Sequence, residues 1–328
     1  MMKRLIGSRG ARTLLCMMSL LIGTGGAQAW TTKPVRVIVP AVAGGSMDIV
    51  ARVLSDQLSK DVGVPFLVDN KRGAGGNVAM ASLLSSPADG QTIVVAFDNI
   101  LTEIPHVIKQ NFSATKDIRP VAAFARSAFV LVGNTALPPR DFKSLIAYLK
   151  ANPQQNSFAS YAVGSASHYA GVMLSTQAGL QLNHVPFLGS PPALVQVMGG
   201  QTPIMVDGLL TSLPMIRGGK LRPYAVIAPH RLASLPDVPT FAELGYPDIN
   251  QFSNQAVAIV AAGVPPELSE RIRAAVYKAA AAPSVQKKLA ELGLEPLQPQ
   301  SIETLARAEK EGFDRIGKII KDYKINLN

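Results

Sequence analysis

The chain has 328 residues, with 32 Lys and Arg against 22 Asp and Glu and a single cysteine. One cysteine excludes an intrachain disulfide framework and a cysteine metal centre. The net charge of +10 is spread over single residues and pairs such as Lys287-Lys288, with no interleaved aromatic residues, which excludes a strand-binding nucleic-acid groove and leaves a mild positive field able to gather anions.

The chain opens with Lys3, Arg4, Arg9 and Arg12, continues through an apolar run over 14–22 and reaches Ala27-Gln28-Ala29. This pattern predicts a secretory signal peptide, 1–29, cut before Trp30. The apolar run is shorter than the ~20 residues a membrane span needs. Cys16 follows Leu14 and Leu15 rather than the small residues that precede a lipidated cysteine, so no lipid anchor is read. The remaining 299 residues hold no cysteine and a net charge of about +6. A soluble, exported chain is the expectation.

That length exceeds what one core usually serves, so two domains are expected. Apolar β-rich runs at 35–39, 65–69, 92–97, 129–133, 157–161, 183–187, 203–207 and 221–228 alternate with amphipathic helical stretches, which predicts parallel sheets covered on both faces. Helix starts are read at Asn77, Asp141 and Ser165 as caps, and at Ser190 followed by two prolines; Gly199-Gly200 closes that last helix. The unbroken run 119–134 predicts a strand leaving one sheet for another near Arg126. A second run, 255–261, returns the chain after a proline-rich loop, so two crossing strands form a hinge. Helices over 266–281, 284–292 and 302–323 are expected to cover the surface. The expected division is 30–125 with 251–328 as one domain, 126–230 as the other, and 231–250 as return linker.

Ligands of open α/β sheets bind beyond the carboxyl ends of strands, where loops enter helix N-termini. Three loops fit. In 40–48, Gly44 and Gly45 permit close backbone approach and the helix start offers amide donors to a carboxylate, or else Ser46 simply caps a tight turn. Asp48 favours the helix dipole but would repel a neighbouring anion, so it is assigned to bracing the loop. In 70–77, Gly73, Gly75 and Gly76 precede Asn77; without a Lys-Ser or Lys-Thr ending this is no nucleotide loop, and it either binds an anion or braces backbone. In 160–168, Ser160, Tyr161, Gly164, Ser165 and His168 converge on a helix start suited to a carboxylate. A hydrolase would use Ser165 or Ser167 with His168 and Asp207, but a histidine so close along the helix start bridges poorly to the serine, and the strained Gly-x-Ser-x-Gly elbow is absent. The four histidines, His106, His168, His184 and His230, lack metal-ligand spacing.

Taken together, Lys33-Pro34-Val35-Arg36-Val37-Ile38-Val39-Pro40, Gly44-Gly45-Ser46-Met47-Asp48, Asn70-Lys71-Arg72-Gly73-Ala74-Gly75-Gly76-Asn77, Pro87-Ala88-Asp89-Gly90, Gly164-Ser165-Ala166-Ser167-His168, His184-Val185-Pro186-Phe187 and Leu235-Pro236-Asp237-Val238-Pro239 resemble, in this order, the periplasmic receptors of the tripartite tricarboxylate transporters, also called Bug receptors. The resemblance covers nearly the whole exported chain. It implies a type II periplasmic binding protein fold of two α/β domains with a ligand cleft between them. It also implies that the first and third loops clamp a solute carboxylate, partly through ordered water, with Asp207 near the cleft as a contact to an amine or hydroxyl.

Departures are visible: Val42 and Ala43 stand where the family usually has two prolines, and Ala162 stands for a usual glycine. Tyr161 and Phe187 either stack on an aromatic acid or pack in the core. The candidate solute-binding set is therefore Gly44, Gly45, Ser46, Asp48, Gly75, Asn77, Ser160, Tyr161, Gly164, Ser165, His168, Phe187 and Asp207. The expected role is non-enzymatic and needs no cofactor: a monomer captures a mono-, di- or tricarboxylate, aromatic acid or amino acid and passes it to membrane permease subunits. Presentation of the closed form to a membrane sensor is the alternative, and a serine hydrolase the remote one.

Overall fold

The computed structural model describes residues 30–252 and 254–327, so the expected signal peptide lies outside the described residues. Strand and helix alternate from β1 (Val35–Val39) through α1 (Ser46–Val62), β2 (Phe66–Asn70), α2 (Asn77–Leu84), β3 (Thr92–Phe97) and the short α3 (Asn99–Thr102) to β4 (Ile118–Ser127). β4 runs on through Ala128 into β5 (Phe129–Asn134), followed by α4 (Phe142–Ala151), β6 (Ser157–Ser160), α5 (Ala166–Gln177), β7 (Asn183–Pro186), α6 (Ser190–Met198), β8 (Ile204–Gly208), α7 (Leu209–Arg217) and β9 (Leu221–Ile227). β10 (Asn254–Ala261) brings the chain back before α8 (Pro266–Ala280), α9 (Pro283–Glu291), β11 (Leu294–Pro296) and α10 (Ile302–Asp322). Two sheets result, ordered β11-β4-β10-β3-β1-β2 and β7-β6-β8-β5-β9.

The sheets are mixed, not parallel as expected. β10 lies antiparallel to β3 and β4, and β5 antiparallel to β8 and β9. The reason is connectivity: β5 and β10 are the strands that arrive from the other sheet. Each therefore starts at the edge where its neighbours end, as Asn254 pairs with Ser127 and Phe129 with Gly208. That shared edge is the boundary between the domains, and the carboxyl ends of β1, β3, β6 and β8 all point at it.

Alternation within strands builds two-sided cores. Along β3, Ile93 and Val95 join the cluster under α1 and α8, whereas Val94 and Ala96 join the one under α2. All four are fully buried, each side chain larger than alanine contributing roughly 1.5–3 kcal/mol. The second sheet is sandwiched likewise, by α4 and α5 on one face and α6 and α7 on the other. α10, expected only to cover a surface, does more: Leu305 enters the first domain's core, and Ile316 and Ile319 enter the second's.

Two expected caps are present. Asp141 accepts from the Ser144 amide at 2.8 Å in a reciprocal capping box, and the Ser165 side chain accepts from the His168 amide. Asn77, Ser190 and Ser46 do not cap. In each case the glycine before them holds the cap position, Gly76 at φ +95°, Gly189 at φ +111° and Gly45 in extended backbone. The polar residue moves one place into the helix and its side chain is released for other partners.

Candidate functional site

The loop from β1 into α1 is held from below. Asp48, almost wholly buried, accepts from the Gly44 amide at 2.8 Å, from Arg52 Nε at 2.9 Å and from Asn70 Nδ2 at 2.9 Å, and Asn70 also donates to Ala41 O. Burial pushes the Asp48 pKa up, but the bonds from Arg52, Gly44 and Asn70 together outweigh it and hold the group below its ordinary value. Its charge is thus paired away from the loop. Gly44 needs its φ of +76°, and a Cβ on Gly45 would meet Val42 O at 3.0 Å. Above this brace the amides of Ser46, Met47 and Asp48, the first of a 17-residue helix, have no partner among the described residues. They are unfilled donors at the positive end of the helix dipole.

The glycine loop before α2 packs instead. Gly75 sits at φ +61° with room for no side chain, since a Cβ would lie 2.4 Å from Ile104 Cγ2. Asn77 donates to Lys109 O at 3.0 Å and accepts from the Asn111 amide at 3.0 Å, pinning the long segment that follows α3. Both residues face protein.

At α5 the same kind of glycine-serine entrance is closed by the protein itself. The Ala166 amide donates to Glu103 Oε2 at 3.0 Å; the His168 amide donates to Ser165 Oγ and the Tyr169 amide to Ser165 O. The Ser167 amide and the Ser165 side chain lie beside the Tyr161 hydroxyl, whose pKa is pushed well up by burial and by the nearby acids Glu103 and Asp207. Glu103 belongs to the first domain and no sequence signal marked it. Burial, aided by Asp98, pushes its pKa up to about 8. Gly164 packs on Val107 of the same segment, so closely that a Cβ would fall 2.0 Å from Val107 Cγ2.

His168 and His184 stack at 3.8 Å between ring centroids. Burial lowers both to about 4, so each is neutral near pH 7. His168 Nδ1 accepts from the Gly164 amide at 3.2 Å, while His184 Nε2 meets Ser160 Oγ at 2.6 Å.

Asp207 is fully buried at the end of β8, where Ser190 Oγ donates at 2.5 Å and Thr211 Oγ1 and Ser212 Oγ each at 2.7 Å. It ties the starts of α6 and α7 together. Phe187 is half-buried against the core beneath α6, and its amide donates to Ser160 O. These bonds leave no serine–histidine–aspartate relay: Ser165 Oγ donates to Ala162 O, Ser167 Oγ to Val206 O, and Asp207 serves three hydroxyls rather than His168. Among the described residues no group of three or more His, Cys, Asp or Glu is placed to hold a metal, and no helix is long and apolar enough to cross a membrane.

Two α/β domains facing each other across a pair of crossing strands, with helix N-termini on the facing edges, define a solute-binding protein of the type II periplasmic class. A family model described as the tripartite tricarboxylate transporter family receptor matches residues 50–327, and the chain belongs to that family of periplasmic solute receptors. Among solved structures, one described as a periplasmic transporter is 34% identical with a TM-score of 0.80, over 92% of this chain and 100% of its own. An R. palustris protein solved with adipate is 29% identical with a TM-score of 0.80, over 90% and 99%. Among curated proteins, BugT of Bordetella pertussis is 33% identical over 72% of this chain and 74% of its own.

Proposed function

We propose that this receptor captures a small organic acid by seating a carboxylate on the α1 N-terminus, where the Ser46, Met47 and Asp48 amides are free. Closure of the second domain over the bound solute then presents it to permease subunits of a tripartite transporter, after export through a cleaved signal peptide, 1–29. The three unpartnered donors above a neutralised Asp48 carry the reading. A solute carboxylate there completes hydrogen bonds the fold leaves open, and adds a charge where the dipole favours one. Adipate in the R. palustris relative supports the same solute chemistry.

Thermal unfolding of the unliganded protein against a panel of mono-, di- and tricarboxylates tests it. A solute at about a hundred times its dissociation constant stabilises the native state by about 2.7 kcal/mol. Ser46→Pro is the diagnostic variant. Proline at the first helical position removes one donor while keeping helical backbone, and the extended Gly45 before it suits a following proline. Affinity is expected to drop about tenfold, the worth of one charge-assisted hydrogen bond. Unchanged carboxylate affinity in Ser46→Pro would place the solute elsewhere.

A further inference from the structure

The links between the two domains meet at one small polar cavity. Asp98, at the end of β3, accepts from the Gln255 amide of β10 at 2.9 Å, and its own amide donates to Gln255 O at 2.9 Å. Arg126, two residues before the crossing at Ala128, acts on Asp98 from β4. Glu309 and Arg315 come from α10, the helix rooted in both cores. Glu103 reaches over to the Ala166 amide of the second domain at 3.0 Å. Asp98, Glu103, Glu309 and Arg315 all line the cavity, whose volume is about 40 Å³. At roughly 10–15 Å³ for each water, that is room for only two or three.

Three carboxyl groups so enclosed do not all ionise while water is kept out. Asp98 and Glu103 are almost wholly buried, and Glu309 Oε2 and Arg126 Nε are buried without a partner among the described residues. Burial raises Asp98 to about 7, against the bond from Gln255 and the pull of Arg315 and Arg126. Burial and Asp98 together raise Glu103 to about 8 and Glu309 to about 9. From the second domain the facing groups are Tyr161 and Tyr169, both kept un-ionised by burial and by Glu103, with Asp207 adding to the first. His168 stacks along Tyr169 and is neutral near pH 7.

The strands and the helix that join the domains also wall this cavity, so a movement of one domain against the other disturbs it. Drawing Glu103 off Ala166, or α10 off β10, admits water and lowers the cost of ionising the acids, whose protons pass to solvent. Linkage makes the effect reciprocal. The enclosed arrangement binds more protons, so it is favoured at low pH and loses favour as pH rises through about 7 to about 9.

We propose that this cavity is a proton-operated lock on the hinge: while protonated, Asp98, Glu103 and Glu309 hold the two domains in the arrangement described, and loss of their protons to solvent releases it. The lock acts on the empty receptor and does not depend on where a solute sits.

The unliganded exported chain, from which Cys16 is absent with the expected signal peptide, tests this with spin labels at Lys60→Cys on α1 and Lys150→Cys on α4, both exposed. Electron–electron distance distributions, label-free small-angle scattering and circular dichroism are recorded from about pH 6 to about pH 9.5. The wild type is expected to gain about tenfold in the population at altered distance, the effect of one acid whose pKa differs by about one unit between the two arrangements. Glu309→Gln removes one titrating group and keeps its shape; it is expected to flatten this rise, and adding Glu103→Gln to flatten it further. Glu309→Gln alone carries the test if the double variant does not fold. Distances and scattering that stay fixed in wild type overturn the proposal, as does a rise of undiminished size in Glu309→Gln. Loss of native circular dichroism before the distances move also overturns it, because the protons then hold the whole fold and not the hinge.

Discussion

α1 and α5 begin alike and end up opposite. Both follow a strand that ends at the domain boundary, and both are entered through a glycine at positive φ with a serine close behind, Gly44 at +76° and Gly164 at +69°. At α1 the buried acid is local, Asp48, and its charge is neutralised by Arg52 below the loop, leaving the amides open. At α5 the acid comes from the other domain and sits on the first amide. Helix dipole and loop composition are therefore insufficient to make an anion site; what decides is whether a group of the chain itself already occupies the first amides.

The sharpest way to break this comparison is to crowd the two glycines. Gly164→Val places atoms into Val107 at a left-handed φ, and is expected to cost about 3 kcal/mol or more in urea unfolding. Gly44→Ala meets no atom within 4 Å and should lose only the left-handed strain, about 1–2 kcal/mol. Equal losses would mean that the 103–107 segment yields easily and the α5 entrance is not closed.

The second test is pH. Glu103 has an ordinary pKa of 4.5, raised to about 8 by burial and by Asp98. Between those values the unfolded chain has released a proton that the folded chain keeps, so stability falls as pH rises from about 4.5 to about 8. Asp98, raised to about 7 by burial, and Glu309, raised to about 9 by burial and by Asp98, add to the same slope. The two histidines act oppositely, losing stability as pH falls from 6.5 towards about 4. Urea midpoints from pH 5 to 8 should show a shallower decline in Glu103→Gln than in wild type; an unchanged slope would mean that Glu103 is ionised throughout. The smallest expected effect is on the open helix. Ser46→Pro, which removes an amide with no partner, should alter unfolding stability by no more than about 0.5 kcal/mol.

Much of this frame was legible in the residues, because apolar runs such as Thr92–Phe97 are long enough to fix a strand. The crossing near Arg126 was also legible, since no turn residue interrupts 119–134, and the crossover falls two residues on, at Ala128. Strand direction was not, because a run reads the same whichever edge it enters from. Caps were legible where the polar residue itself takes the cap, as Asp141 and Ser165 do, and were missed where a glycine displaced it, as at Asn77 and Ser190. The three-residue β11 escaped notice for want of length. Glu103 lay beyond any local pattern: a single acid in Thr-Glu-Ile-Pro says nothing about a helix start that lies 63 positions later.

Helix α10 puts a limit on how such a receptor can move. With Leu305 anchored in one core and Ile316 and Ile319 in the other, it is a third strut beside the two crossing strands, and a stiff one. A shell hung on flexible ribbons alone can splay and twist in many directions; one also pinned along a rod is left with few, chiefly rotation about that rod. For the closure proposed above, so pinned a hinge would surrender less configurational freedom when the halves meet over a solute, leaving more of the contact energy as affinity.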